Sequence, residues 1–190
     1  MTEATLEYVL GLGGFYLDPG GAATICRRVS SLGVKVPAPY PQNNLQPVYN
    51  AVRQVPITTK LIFGGDSCGC TRIIQLAKDI HPRTVDYMFC IQPSYWCQAG
   101  AVPIGDNVKE VVVFYSSWSL TWGLGVYKPP LEIPPTAITG ENIYDGKIRT
   151  GNGGKTTIRY CYVPDLHPAD NDTIGVQDPV IVDIKRIVGA

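Results

Sequence analysis

The hydrophobic and polar positions of the chain alternate between two patterns. Six short runs of apolar, often β-branched residues have the character of buried strands, at positions 6–10, 34–36, 60–63, 85–91, 110–115 and 158–163. Between these runs, apolar residues recur with helical spacing at positions 20–32, 45–55, 71–80 and 179–188. Strands that alternate with helices are typical of a parallel sheet covered on both faces. We therefore predict an α/β protein, a three-layer sandwich around a mostly parallel, doubly wound sheet of about six strands.

The alternation stops between positions 116 and 157. This stretch is rich in proline, glycine and aromatic residues, and it includes Trp118, Trp122 and Tyr127. A connection of this length in a compact domain is commonly a lid, a binding surface or an assembly arm. Within it, Asp145-Gly146 is a hairpin signal of moderate strength. We expect one domain over residues 1–190, with an irregular insert at about 116–157 that offers a surface for self-association or protein assembly.

Composition and charge exclude several classes of function. The chain has 16 Lys and Arg against 16 Asp and Glu, so its formal net charge is zero. Without a basic stripe to neutralise phosphates, we expect no nucleic-acid partner. No apolar run reaches the length of a membrane span, and the first residues do not resemble a secretory signal. We expect a cytoplasmic protein without a membrane span.

The six cysteines have no metal-binding spacing and no accompanying histidine cluster. We therefore expect neither a metal nor another cofactor. The thiols are predicted to be reduced and mostly buried, where cysteine behaves as a small apolar residue. Intermolecular disulfide bridges are the alternative, and they would require an oxidising medium.

The main chemical signal is the segment Gly65-Asp66-Ser67-Cys68-Gly69. The pattern G-x-S-x-G is short, but here it follows a predicted strand and immediately precedes a predicted helix, as a nucleophile elbow requires. The flanking glycines allow a sharp turn that exposes the serine hydroxyl, and the helix N-terminus favours a nearby oxyanion. The alternative is an ordinary glycine-rich turn between a strand and a helix.

Acyl transfer also needs hydrogen-bond donors for the developing oxyanion. One donor is expected to be the backbone N–H of Cys68, the residue after the serine. The second should come from the loop after the first strand, Gly11-Leu12-Gly13-Gly14. We predict the N–H of Leu12 as this donor, with Gly13 as the second choice. The same loop would also fit a tight turn into the first helix.

The chain has two histidines, and geometry separates them. His81 lies at the far end of the helix that begins at Ser67, which at 1.5 Å per residue is roughly 20 Å away. His167 follows the last predicted strand, in a loop that opens at the same sheet edge as Ser67. We therefore predict His167 as the general base. The alternative is a surface histidine without a role.

In the order and spacing of these motifs the chain resembles the α/β-hydrolase superfamily, specifically its small lipase-, esterase- and thioesterase-like members. The resemblance spans nearly the whole sequence and includes the glycine-rich first loop, G-D-S-C-G, a strand ending in Ile91-Gln92-Pro93, the late His167 and a closing helix. It implies a serine hydrolase that acts on a small acyl ester or thioester, with an acid between serine and histidine.

The departure from that family concerns the acid. The two strands between serine and histidine end in Ile91-Gln92-Pro93-Ser94 and in Phe114-Tyr115-Ser116-Ser117-Trp118, without a carboxylate. The Gln92 carbonyl oxygen can accept a hydrogen bond from His167 Nδ1, but it cannot stabilise an imidazolium as a carboxylate does. We predict Ser67, His167 and Gln92 as the catalytic residues. A displaced acid remains the alternative, with candidates at Asp106, Glu132, Asp145, Asp165, Asp170 and Asp172.

Two other functions fit the same sequence. One is a catalytically weakened hydrolase fold that serves as a structural or interaction component of a larger assembly, such as a phage virion. The missing acid, the zero net charge and the 116–157 insert favour this alternative, which would place the protein in a virion or another assembled particle. The other is a small-molecule binding module that uses the pocket without turnover.

Overall fold

The computed structural model of the 190-residue chain describes residues 2–11, 21–93, 102–115, 131–132, 145–163 and 174–190. The elements in these ranges are β1 (Ala4–Leu10), α1 (Gly21–Ser30), β2 (Tyr40–Pro41), α2 (Gln46–Gln54), β3 (Lys60–Asp66), α3 (Cys68–Asp79), β4 (Tyr87–Ile91), β5 (Val102–Pro103), β6 (Glu110–Tyr115), β7 (Leu131–Glu132), β8 (Asp145–Gly151), β9 (Thr156–Tyr162) and α4 (Ile174–Val188). Among the described helices, none has the length and apolar character to cross a membrane.

The main sheet has seven strands in the order β2-β1-β3-β4-β6-β9-β8. Every neighbouring pair is parallel except β8 and β9, which are antiparallel. The short strands β5 and β7 form a separate parallel pair. The prediction of a mostly parallel α/β sheet is confirmed. The sheet has seven strands, one more than the predicted number of about six.

Helices cover both faces of this sheet. One buried cluster joins α2 and α3 to the side chains on one face, including Phe63, Met88 and Val113. A second cluster joins α1 and α4 to the opposite face, including Leu6, Phe89 and Phe114. Because successive residues of a strand point to opposite faces, nearly continuous apolar strands supply both clusters. The described elements therefore form three layers.

The additional strand, β8, lies inside the 116–157 segment that the sequence predicts to be irregular. Asp145-Gly146 is not a hairpin turn, because Gly146 has a φ of 72° within β8, and the pairing with β9 shifts register between Asp145 and Ile148. The turn from β8 to β9 is a 3₁₀ turn at Asn152–Gly154. Asn-Gly is the stronger hairpin signal, since both residues tolerate a positive φ. Apart from residues 131–132 and 145–157, the insert lies outside the described residues.

The second predicted strand, at 34–36, is reduced to one bridge residue. Lys35 exchanges backbone hydrogen bonds with β1, from its N–H to the Ala4 oxygen and from the Leu6 N–H to its own oxygen, both at 2.9 Å. Regular pairing resumes only at β2. Pro37 and Pro39 lie in between and have no N–H to donate, which interrupts the ladder.

Two helices begin earlier than predicted. The helix α3 starts at Cys68 rather than at 71, directly after Ser67. The helix α4 starts at Ile174 rather than at 179, so Pro179 lies in its second turn. Proline there removes the donor to the carbonyl of Gly175. Gly175 is exposed, so water can satisfy that carbonyl.

Candidate active site

Ser67 follows the carboxyl end of β3, where the strand order reverses. The chain passes from β1 outward to β2 and then returns to the other side of β1 to form β3. Gly11 follows the carboxyl end of β1, so both residues lie at the same edge of the sheet. Ligands of open α/β sheets bind in the crevice at this kind of switch point.

The backbone of Ser67 has a conformation that L-amino acids rarely adopt. Its φ is 48° and its ψ is −120°, at the residue that precedes α3. A serine at this position usually caps the helix, but the Ser67 hydroxyl makes no capping hydrogen bond. Within positions 61–71, Ser67 is the one residue that is not buried. The turn therefore brings a hydroxyl to the surface from an otherwise buried stretch.

Three glycines are sterically required around this turn. A Cβ at Gly65 would lie 2.8 Å from the carbonyl carbon of Gly69, and a Cβ at Gly69 would lie 2.0 Å from the Val9 oxygen. A Cβ at Gly11 would lie 2.7 Å from the Ser67 Cβ. All three separations are too short for real carbon atoms. The glycines of G-x-S-x-G thus allow α3 to start against β1, and Gly11 leaves space beside the serine.

Asp66 holds the start of the glycine-rich first loop. Its Oδ2 accepts a hydrogen bond from the Gly11 N–H at 3.0 Å, and both groups are buried. The bond crosses from the end of β3 to the end of β1, which pair in parallel. Asp66 is therefore a brace for the loop. The predicted oxyanion donors in that loop, Leu12 and Gly13, lie outside the described residues.

Cys68 is the first residue of α3, so its N–H lies where the helix N-terminus favours negative charge. Its side chain is part of a disulfide, which corrects the prediction of reduced thiols for this cysteine. The free thiols are Cys26, Cys70, Cys90 and Cys161, and Cys97 lies outside the described residues. A disulfide thus anchors the side chain next to the candidate nucleophile.

Gln92 lies one strand away from Ser67. The Ser67 N–H donates to the oxygen of Ile91 at 2.8 Å, and Gln92 is the next residue. Gln92 has a φ of 49°, and its N–H donates to the Phe114 oxygen at 2.9 Å. The residue is 4% exposed, and neither Oε1 nor Nε2 of its side chain has a hydrogen-bond partner in the described structure. A buried amide left unpaired costs about 1–3 kcal/mol, so this group is available to a further residue or a ligand.

His81 lies at the opposite edge of the sheet from Ser67. It follows the end of α3, and its Nε2 is 3.4 Å from Asp106 Oδ1. Asp106 also pairs with Lys155 at 2.8 Å, and the hydrogen bond from that lysine lowers the pKa of the Asp106 carboxyl. His81 follows the far end of α3 and contacts Asp106, so both residues lie about a helix length from Ser67. His81 cannot be the base, and Asp106 cannot be the displaced acid.

The remaining predicted site residues are described in part or not at all. His167, Asp165, Asp170 and Asp172 lie outside the described residues, and only the backbone is described for Glu132 and Asp145. The backbone of Asp145 pairs with Cys161, near the carboxyl end of β9. Four strand spacings separate β8 from β3, about 19 Å at the usual distance between strands. Gln92, one spacing from Ser67, is much nearer.

The chain matches no family model, no curated protein and no solved structure. In the described part of the chain, no group of three or more His, Cys, Asp or Glu side chains is placed to hold a metal ion. Any functional conclusion therefore depends on the local geometry around Ser67.

Proposed function

We propose that this chain is a serine hydrolase of the α/β-hydrolase type that cleaves small carboxylic esters or thioesters, with Ser67 as its nucleophile. The observation that carries the proposal is the backbone of Ser67, with its φ of 48° and ψ of −120°. Such a conformation in a non-glycine residue costs roughly 1–3 kcal/mol and is characteristic of functional sites. Close glycine contacts maintain it here, and the hydroxyl that it presents has no capping role.

The proposed reaction has two halves. His167 takes the proton of the Ser67 hydroxyl while Oγ attacks the substrate carbonyl carbon, giving a tetrahedral oxyanion. The N–H groups of Cys68 and of Leu12, or of Gly13 in its place, stabilise that oxyanion. Collapse breaks the bond to the leaving alcohol or thiol, which receives the proton from His167. Water then attacks the acyl-enzyme by the same route and releases the acid.

Gln92 is the proposed third member of the site. Its buried Oε1, which has no partner in the described structure, would accept the Nδ1–H of His167 and orient the imidazole. An amide at this position cannot stabilise the imidazolium, and in serine proteases an acid-to-amide change lowers kcat by about 10⁴. We therefore expect slow turnover with an intact nucleophile, so covalent labelling is a better first assay than steady-state hydrolysis.

The proposal is tested by labelling with a fluorophosphonate probe, detected by intact-protein mass spectrometry. We expect wild type to gain one adduct and Ser67→Ala to gain none, because the probe requires an activated hydroxyl. Ser30→Ala, which removes an exposed hydroxyl at the end of α1, is the control and should label as wild type does. Absence of an adduct on folded wild-type protein would leave the structural component of an assembly as the better explanation.

A further inference from the structure

The thiol of Cys70 lies directly beneath the turn that carries Ser67. Cys70 is fully buried, and its Sγ lies 3.1 Å from the Gly65 oxygen and 3.4 Å from the Ile91 oxygen. Burial is the main cause that raises the pKa of this thiol well above its usual value, and contact with Cys90 adds to it. Cys70 therefore keeps its proton and remains a hydrogen-bond donor.

The carbonyl group of Ile91 joins three parts of the site. Its oxygen accepts the Ser67 N–H at 2.8 Å and also lies against the Cys70 thiol. Ile91 ends β4 and directly precedes Gln92. The N–H of Cys70 in turn donates to the Ser67 oxygen at 3.2 Å. The thiol thus connects the first turn of α3 with the ends of β3 and β4.

We propose that Cys70 is a positioning residue for the Ser67 nucleophile, an inference that rests on the proposed function. By contacting the oxygens of Gly65 and Ile91 together, the thiol reinforces the spacing between the ends of β3 and β4, which the Ser67 N–H bond to Ile91 also holds. That spacing determines how the Ser67 hydroxyl and the Gln92 amide lie relative to each other. The simpler role of a buried cysteine is to fill space as a small apolar side chain, and it makes a different prediction.

The test compares the second-order rate constant of fluorophosphonate labelling among Cys70→Ala, Cys70→Ser and Cys26→Ala, each at a temperature where it is fully folded. Cys70→Ala loses the donor, and we expect labelling to slow by about tenfold, because displacing a reacting group by 1 Å can cost about a hundredfold. Cys70→Ser keeps a donor and should recover most of the rate. Cys26→Ala removes another buried sulfur, on α1 and within the other hydrophobic cluster, and should label as wild type does.

Three results would overturn the proposal. Equal labelling of Cys70→Ala and wild type would show that the thiol only fills space. Equal slowing in Cys26→Ala and Cys70→Ala would show that any buried sulfur matters through general stability. An unlabelled wild type would refute the hydrolase itself and, with it, the role of Cys70. The first two results leave the hydrolase proposal intact, so the two failures can be told apart.

Discussion

Gly69 is the residue at which α3 comes closest to β1, and the geometry of the turn depends on it. A Cβ there would lie 2.0 Å from the Val9 carbonyl oxygen, a backbone atom that cannot rotate away. We expect Gly69→Ala to push α3 off β1 and to displace Ser67. Overpacking of this kind typically costs about 1–3 kcal/mol, so the melting temperature should fall and fluorophosphonate labelling should be lost.

The matched control is Gly153→Ala in the turn between β8 and β9. Gly153 has a φ of 66°, but a Cβ there would meet nothing within 4 Å. The left-handed backbone is then the only cost of alanine, and it should lower the unfolding free energy by about 1 kcal/mol. Labelling should be unchanged. If Gly69→Ala labels at the wild-type rate, the close packing of α3 is not what presents the hydroxyl.

Gln92→Glu changes the amide to a carboxylate of the same length. If Gln92 orients His167, the new charge should also stabilise the imidazolium, and kcat for p-nitrophenyl acetate should rise by at least about tenfold. Gln54→Glu, at the end of α2 and exposed, provides the same chemical change away from the site. A fall or no change in kcat would mean that another group orients the imidazole.

The residues of the turn could be predicted from sequence because their chemistry is local. Glycines on both sides of Ser67 predict a sharp turn between a strand and a helix. The structure identifies the atoms with which a Cβ at each glycine would clash. The disulfide at Cys68 could not be predicted, because pairing depends on which cysteines the fold brings within about 6 Å. The contacts of Cys70 depend in the same way on β4, 21 residues further along the chain.

At the scale of elements, α4 is attached to the sheet through Asp183. This carboxylate accepts hydrogen bonds from the Tyr87 hydroxyl at 2.9 Å and from Arg159 at 2.6 Å. The Asp183 and Arg159 side chains are 9% and 27% exposed. Asp183→Ala would leave a buried hydroxyl and a half-buried guanidinium without their acceptor. Breaking a fully buried pair lowers the free energy of unfolding by about 3–5 kcal/mol. Because Arg159 is partly exposed, we expect Asp183→Ala to lower it by about 2 kcal/mol.

Asp178→Ala, on the same helix, is the control for that substitution. Asp178 pairs with Arg28 at 2.6 Å, but its side chain is 52% exposed. Exposed pairs contribute about 0–1 kcal/mol, so this variant should unfold in urea close to wild type. Equal loss of unfolding free energy in both variants would show that burial of the pair is not what matters.

The sequence predicts best those elements whose apolar residues are buried in the core. The strands β1, β3, β4 and β6 contain apolar runs, and their helices carry apolar residues at helical spacing. In β9, buried positions alternate with partly exposed ones. The edge strand β8 has no such pattern, because its one large apolar residue, Ile148, is 65% exposed. Hydrogen bonds to β9 form this strand, and composition does not reveal them.

At the scale of the whole molecule, the two edges of the sheet differ in chemistry. At the amino ends of the strands, Asp86 pairs with Lys109 at 2.8 Å and with Lys60 at 3.2 Å. Burial alone would raise the Asp86 pKa, but hydrogen bonds from Lys109 and from the Leu61 N–H outweigh it and lower that pKa. At the carboxyl ends lie the Ser67 hydroxyl and the Gln92 amide, which has no hydrogen-bond partner among the described residues. One edge is braced by ion pairs, and the other carries the residues of the proposed active site.

Substitution of each histidine tests whether the two sheet edges differ in their roles. His81→Gln changes the ion-paired edge and should leave fluorophosphonate labelling unchanged. His167→Gln removes the proposed base, and labelling should slow by a factor of about 10² or more, the range typical of general-base catalysis. Both variants should be measured by the same mass-spectrometric assay across pH 5 to 9. Slowing in His81→Gln, or normal labelling in His167→Gln, would contradict the assignment of the base.

The disulfide at Cys68 decides how the protein must be made before any of these measurements. Such bonds survive in oxidising surroundings and are reduced by the thiol pools of most cell interiors. Material purified from a reducing host, or stored with dithiothreitol, would be a different chemical species at the residue proposed to hold the oxyanion. Secretion to a periplasm, or refolding with a glutathione couple, would supply the oxidised form. A thiol titration under denaturing conditions would show whether the purified protein holds this disulfide or the reduced thiols.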